Sequence, residues 1–176
     1  MPAATISRPA KTEYATYFGT YIDKVGDGDV LDILAKQIDQ TVATLSRLSE
    51  QDAEYRYAPG KWSVKEIVGH MSDTERIFVY RALCFARGDK QALPGFDENI
   101  YVTNASFDDR TLADHLAEFK AVRAASLFFL KGLNADELMR TGTANKNPYT
   151  VRAIPYILAG HEKHHMGVVK ERYLKR

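Results

Sequence analysis

Apolar residues recur at steps of three and four in four separate stretches of this chain, and this spacing limits the fold more than any other feature. Such steps place side chains on one face of an α-helix. No stretch shows sustained alternation of apolar and polar residues, so the sequence predicts no β-strand. The four predicted helices span residues 29–48, 63–87, 111–131 and 150–174. They predict an all-α fold, a four-helix bundle that buries its apolar faces together.

Local signals mark the helix ends and the connections between helices. Ser63 and Glu66 have the spacing of a capping box, in which each side chain bonds a free backbone amide of the first turn. The connection between helices two and three, residues 88–110, is long and contains Leu-Pro-Gly-Phe at 93–96. Antiparallel neighbours need only a few connecting residues. This segment therefore either crosses the length of the bundle, leaving the two helices parallel, or covers one end of the bundle as a lid.

The N-terminal arm, residues 1–28, is predicted to be irregular and to pack on the bundle through its aromatic side chains. These are Tyr14, Tyr17, Phe18 and Tyr21. The 176 residues suffice for one domain with a substantial core, so residues 1–176 are predicted to form a single domain.

The balance of charge excludes some partners. The net charge is +1, which argues against nucleic acid or an anionic membrane as the main partner. No apolar run approaches the roughly 18 residues of a membrane span. Cys84 is the single cysteine and excludes an intrachain disulfide. A cytoplasmic location is the default expectation.

Three of the five histidines fall within the run His-Glu-Lys-His-His at 161–165. On a helix, His161 and His165 lie one turn apart on a single face. Both continue the core series of the fourth helix, where a bundle normally has Leu or Ile. Burying two polar rings without partners costs about 2 kcal/mol or more for each ring. A metal ion removes that cost by accepting a lone pair from each ring.

His70 is the best candidate for a third ligand, because it lies beside the apolar stripe of the second helix. His115 is predicted on a polar flank of the third helix, and His164 near the ligands or at the surface. Three histidines without a cysteine are typical of an open site that leaves a position for water or substrate. Imidazole suits zinc, nickel, copper, iron and cobalt alike, so the residues alone do not choose the ion.

Two other interpretations of these histidines compete with metal catalysis. In the first, they are core residues with hydrogen-bond partners and bind no metal. In the second, the letters His-Glu-x-x-His mark a metalloprotease whose Glu162 is the general base. Only 11 residues follow His165, no strands are predicted to hold a peptide, and Glu162 should point away from the ion. The protease is therefore the weakest interpretation.

Several blocks of the chain resemble the DinB/YfiT superfamily of bacterial four-helix metalloproteins. The resemblance covers nearly the whole chain and lies in residues 59–66, 69–70 with 73 and 75–76, 80–83 with 86–89, 93–97, 159–165 and 170–174. It implies an up-down-down-up helix order and a metal ion, often nickel or zinc, held by His70, His161 and His165. It also implies a homodimer. Characterised relatives transfer low-molecular-weight thiols or isomerise maleylpyruvate with a thiol, and many others have no established reaction.

The leading hypothesis is a metal-dependent enzyme that activates a thiol or water toward a small molecule, as a thiol S-transferase or a hydrolase does. The sequence identifies no catalytic acid or base, although Arg81 and Arg87 are candidates for binding an anionic thiol. The alternative is a non-catalytic protein that binds metal and dimerises.

Overall fold

A computed structural model of the chain describes residues 5–175, so residues 1–4 of the predicted arm and Arg176 lie outside the described residues. Most of the described chain is helical. The helices are α1 (Thr16–Ile22), α2 (Val30–Leu45), α3 (Glu50–Glu54), α4 (Val64–Ala86), α5 (Glu98–Asn104), α6 (Leu112–Lys131), α7 (Ala135–Met139) and α8 (Ala153–Arg172). The strands are β1 (Thr141–Ala144) and β2 (Asn147–Thr150). None of these helices combines the length and apolar character needed to cross a lipid bilayer.

The four long helices, α2, α4, α6 and α8, correspond to the four predicted helices and pack on one another as a bundle. The predicted capping box of α4 is confirmed. The Glu66 amide donates to the Ser63 hydroxyl at 3.1 Å, and the Ser63 amide donates to the Glu66 carboxylate at 2.5 Å. This pair satisfies two amides that the first turn leaves free, which explains why α4 begins where the sequence predicts.

The prediction of no strands is wrong, because β1 and β2 pair as an antiparallel hairpin before α8. Each strand has four residues, too few for a clear alternation of apolar and polar side chains. The turn residues Asn145 and Lys146 have φ values of 49° and 62°, a left-handed conformation that glycine usually supplies. Because the hairpin uses residues 147–150, α8 begins at Ala153, later than expected.

The prediction of an irregular arm is also wrong in part, because α1 forms within it and packs along α8. Gly160 permits this close approach. A Cβ atom at Gly160 would lie 2.1 Å from the carbonyl oxygen of Tyr21. Since α1 has only seven residues, its stability comes from packing on α8 and not from helix propensity, which is why periodicity did not reveal it.

The buried interior consists of two apolar clusters with a polar layer between them. One cluster joins the first halves of α2 and α8 to the second half of α4 and to the hairpin. The other joins the second halves of α2 and α8 to the first halves of α4 and α6. Between the clusters lie buried polar residues from all four long helices. The middle of the bundle is therefore where polar chemistry is concentrated.

The long connection lies along α4. Near the start of α4, the Ser63 hydroxyl donates to Asp108 at 3.2 Å, and near its end Arg81 donates to the carbonyl of Pro94 at 2.9 Å. Leu93 also bonds the hairpin, donating to the carbonyl of Thr143 at 2.9 Å. The connection thus runs back along the helix that precedes it, and its beginning is joined to the hairpin.

Candidate metal centre

His70, His161 and His165 meet in the polar layer. His161 and His165 come from adjacent turns of α8, and His70 faces them from α4. The Nε2 atom of His161 lies 3.1 Å from Nε2 of His70 and 3.0 Å from Nε2 of His165. One nitrogen of each ring lies within 4.8 Å of the corresponding nitrogen of the other two. The structure brings the three candidate ligands together, and their binding of a metal stays a prediction.

Burial keeps these three rings neutral near pH 7. It lowers the pKa of His70 to about 4 and the pKa of His165 to about 3, and nearby imidazoles add to both effects. The pKa of His161 lies well below its ordinary value, first because the ring is buried and then because of its imidazole neighbours. A neutral imidazole has a free lone pair and is the form that binds metals.

The donor set fits a transition metal ion better than it fits a closed hydrogen-bond network. An imidazole nitrogen has one proton or one lone pair, so Nε2 of His161 makes one good hydrogen bond, to one of its two neighbours. The other neighbouring nitrogen then lacks a partner in the trio. A divalent ion accepts a lone pair from all three nitrogens, and imidazole is a common ligand of such ions.

Side chains from two parts of the chain, α1 and the segment just before α4, hold the rings in place. The indole of Trp62 lies 4.7 Å from the His70 ring and stacks on the His165 ring at 6.2 Å. The ring of Tyr21 meets His161 edge-on at 5.4 Å. The sequence alone does not indicate that Tyr21 lies at this site. Its only signal was the aromatic content of the arm, because the approach of α1 to α8 is a tertiary feature.

The trio lines one side of a cavity of about 510 Å³, a size typical of small-molecule sites. Aromatic side chains form much of its wall, namely Tyr17, Phe18, Phe78 and Phe96. Arg81 is buried at the cavity, and Asn145 of the hairpin turn also lines it. The candidate Arg87 is exposed and forms an ion pair with Glu137 at 2.5 Å, so it takes no part in this lining.

The remaining histidines have different surroundings. His164 is half-buried, lines the cavity and contacts the ring of Tyr21 at 5.7 Å. His115 is buried, so the prediction of a polar flank is wrong for this residue. Its Nε2 donates to the carbonyl of Phe107 at 2.7 Å. His115 thus fastens the long connection to α6, a contact between distant residues that helical periodicity does not encode.

Glu162 faces away from the trio. Its carboxylate accepts a hydrogen bond from Thr41 at 2.6 Å and forms an ion pair with Arg123 at 2.9 Å. The carboxylate is buried and bound to α2 and α6, so it does not lie where a general base beside the histidines would lie. This arrangement disfavours the protease interpretation.

Comparisons with known proteins agree with the architecture. The family model described as the DinB superfamily matches residues 33–169. A solved structure, YfiT from Bacillus subtilis, superposes with a TM-score of 0.77 at 15% sequence identity, covering 96% of this chain and 93% of that chain. YfiT is described as "a probable metal-dependent hydrolase with an unusual four-helix bundle topology". No curated protein matches the chain. The family model matches most of the length of this chain. The chain therefore belongs to the DinB superfamily.

Proposed function

We propose that this protein is a metal-dependent enzyme acting on a small molecule, with one divalent transition metal ion, zinc or nickel, held by His70, His161 and His165. The observation that carries the proposal is the convergence of three neutral, largely buried Nε2 atoms beside a cavity. When bound, such an ion acts as a Lewis acid that lowers the pKa of a water molecule or thiol in its open position. Hydrolysis and thiol transfer both use an anion made available in this way.

The residues around the trio hold the imidazoles in position and exclude water from the cavity. Trp62 and Tyr21 restrict rotation of the imidazoles, and the hydroxyl of Thr74 lies 3.5 Å from Nδ1 of His70. The aromatic wall of the cavity reduces the water around a bound substrate, which strengthens electrostatic interactions there. Holding ligands in one orientation before the ion binds reduces the ordering that binding requires.

The up-down-down-up helix order belongs to the same proposal. The first halves of α4 and α6 share one apolar cluster, while the second halves of α2 and α8 line that same cluster. The other cluster contains the first halves of α2 and α8 with the second half of α4. This distribution supports α4 and α6 as parallel neighbours, both antiparallel to α2 and α8.

Elemental analysis of protein purified without a histidine tag tests the metal. We expect about one equivalent of transition metal in the wild type and a sharp loss in His161→Ala, since two imidazoles bind such ions much more weakly than three. The matched control is His164→Ala, which removes a cavity histidine from the same helix and should keep the metal. Normal metal content in His161→Ala contradicts the assignment.

Turnover separates an enzyme from a protein that only binds metal. A panel of esters, amides and electrophiles, each offered with and without several low-molecular-weight thiols, is compared between metal-loaded and metal-stripped protein. We expect metal-dependent turnover that Trp62→Phe retains in part and His70→Ala loses. If no loaded ion supports turnover of any compound, the non-catalytic alternative replaces this proposal.

A further inference from the structure

Arg81 has the environment of a residue that binds a ligand. It is 5% exposed, yet it forms no salt bridge with any Asp or Glu among residues 5–175. The other deeply buried arginine, Arg123, has two carboxylate partners, Glu75 at 2.7 Å and Glu162 at 2.9 Å. A buried cation is unfavourable unless an opposite charge accompanies it. Arg81 therefore lacks the counter-charge that Arg123 has.

We propose that the Arg81 guanidinium binds an oxyanion of the substrate, so that the cavity accepts small organic anions, carboxylates in particular. The proposal rests on the proposed function, because it names the substrate class of the same cavity. It concerns a part of the cavity that is separate from the three histidines.

The contacts of Arg81 orient its guanidinium and leave most of its donors free. A guanidinium has five N–H donors, and Arg81 uses one hydrogen bond, to the carbonyl of Pro94 at 2.9 Å. The rings of Phe78 and Phe96 lie 5.0 and 5.8 Å from the guanidinium carbon. A planar guanidinium held by aromatic rings can donate two parallel hydrogen bonds to the two oxygens of a carboxylate.

A second unsatisfied group lies near Arg81. The hydroxyl of Tyr149 is buried and has no hydrogen-bond partner among the described residues. Burial raises the pKa of Tyr149 to about 12, and the nearby Arg81 acts in the opposite direction. The hydroxyl therefore stays protonated and is a neutral donor beside the guanidinium of Arg81.

The position of Arg81 on α4 directs a bound anion toward the histidines. Arg81 follows His70 by eleven residues, three helical turns or about 16 Å of axis, so the two share one face. Thr74 and Phe78 lie between them on that face and also line the cavity. Long side chains on a helix point back toward its N-terminus, which here is the direction of His70. A small molecule anchored at Arg81 thus extends along the cavity toward the trio.

The Leu-Pro-Gly-Phe segment of the long connection builds the wall beside Arg81. Pro94 supplies the carbonyl that Arg81 bonds, and Phe96 supplies one of its rings. Between them, Gly95 makes room for the hairpin turn, since a Cβ atom there would lie 2.5 Å from Oδ1 of Asn145. Among the described residues that line the cavity, Arg81 is the one buried arginine or lysine, and Glu98 is an exposed carboxylate. One positive charge and a nearby carboxylate favour a monoanion over a dianionic phosphate.

Trp62 provides a direct measurement, because it is the single tryptophan and it lines the cavity. Metal-free protein is titrated with phenylacetate, with its neutral analogue phenylacetamide and with phenyl phosphate, following Trp62 fluorescence and heat of binding. We expect phenylacetate to bind about tenfold more tightly than the amide, the range of a charge-assisted hydrogen bond. Tighter binding of phenyl phosphate would reassign the anion to phosphate, and equal binding of all three compounds overturns the proposal, as does no binding at all.

Variants identify the residue responsible. Arg81→Met keeps the bulk of the side chain and should abolish the preference for phenylacetate, whereas Arg81→Lys keeps the charge and should retain part of it. Arg87→Met, an exposed arginine at the end of the same helix, should leave the preference unchanged. A preference that survives in folded Arg81→Met overturns the assignment, and so does its complete loss in folded Arg81→Lys.

The outcome is independent of the metal. Because binding is measured in metal-free protein, a selective Arg81 in a chain that holds no metal would overturn only the proposed function. A metal-containing protein without anion preference would overturn only the substrate class.

Discussion

Two groups of polar side chains share the middle of the bundle, and they differ in whether the protein itself satisfies them. The guanidinium of Arg123 donates hydrogen bonds to Glu75 and to the carbonyl of Leu34, the latter at 2.8 Å, and it forms an ion pair with Glu162. Thr41 donates to the far oxygen of Glu162 at 2.6 Å. This network joins α2, α4, α6 and α8. In the histidine trio, by contrast, Nε2 of His161 can pair with only one of its two neighbouring nitrogens, so one nitrogen of the three has no partner within the trio.

The difference separates a structural role from a functional one. A buried charge with ion-pair and hydrogen-bond partners on the other three long helices stabilises one arrangement of the bundle. The trio, by contrast, has a nitrogen left without a partner, which is consistent with the proposed metal ligand role. The same distinction applies to the two buried arginines, since Arg123 is neutralised by carboxylates and Arg81 is not. A buried polar group that lacks a partner in the protein indicates a ligand site better than burial alone does.

The largest effect should come from breaking the Arg123 network. Arg123→Met leaves two buried carboxylates without a counter-charge, which should lower the free energy of unfolding by about 3–5 kcal/mol in urea denaturation. The control is Arg76→Met on α4, an exposed arginine paired with Glu118 at 2.5 Å, where a loss below about 1 kcal/mol is expected. Equal losses in the two variants would contradict the structural role of the network.

An intermediate effect should appear when the metal-free protein is acidified. Because burial lowers the pKa of His70 to about 4, the folded state binds fewer protons than the unfolded state, whose imidazoles titrate near pH 6.5. The stabilisation from this ring is therefore complete above pH 6.5 and is lost as the pH falls toward 4. At pH 5 the loss should be about 2 kcal/mol for each such histidine.

Denaturation of metal-free His70→Phe at pH 7 and pH 5 checks this assignment. On acidification from pH 7 to pH 5, the free energy of unfolding should fall less in the variant than in the wild type. The difference should equal the contribution of one imidazole, about 2 kcal/mol. His164→Phe, which removes a half-buried histidine, serves as the comparison. An unchanged pH dependence in His70→Phe would mean that its imidazole does not titrate as its burial predicts.

The smallest effect should come from Thr41→Val, which removes one neutral donor from the network and keeps all its charges. Loss of a hydrogen bond to a charged group is worth about 1.5–3 kcal/mol, and the low end is expected because Arg123 still contacts Glu162. Burial already raises the pKa of Glu162 against the effect of Arg123, and removing Thr41 should raise it further. Urea denaturation of the variant between pH 5 and 8 measures both changes, and full wild-type stability would show that the Thr41 contact is not needed.

The four long helices and the candidate ligands could be predicted because their signals are local. The capping box of α4 needs only Ser63 and Glu66, and the one-turn spacing of His161 and His165 is read directly from the chain. His70 was found because it lies beside an apolar stripe. The hairpin was missed because its strands are short and its turn residues, Asn145 and Lys146, adopt a conformation typical of glycine.

Taken alone, the amino-acid sequence determined the four long helices and the presence of His70, His161 and His165 on their buried faces, because helical geometry relates neighbours three and four residues apart. Only the tertiary structure decided which buried groups meet a partner. The pairing of Arg123 with Glu75 and Glu162 and the solitary burial of Arg81 both depend on contacts between residues far apart in the chain. Such contacts depend on how whole helices pack, and no local spacing encodes them.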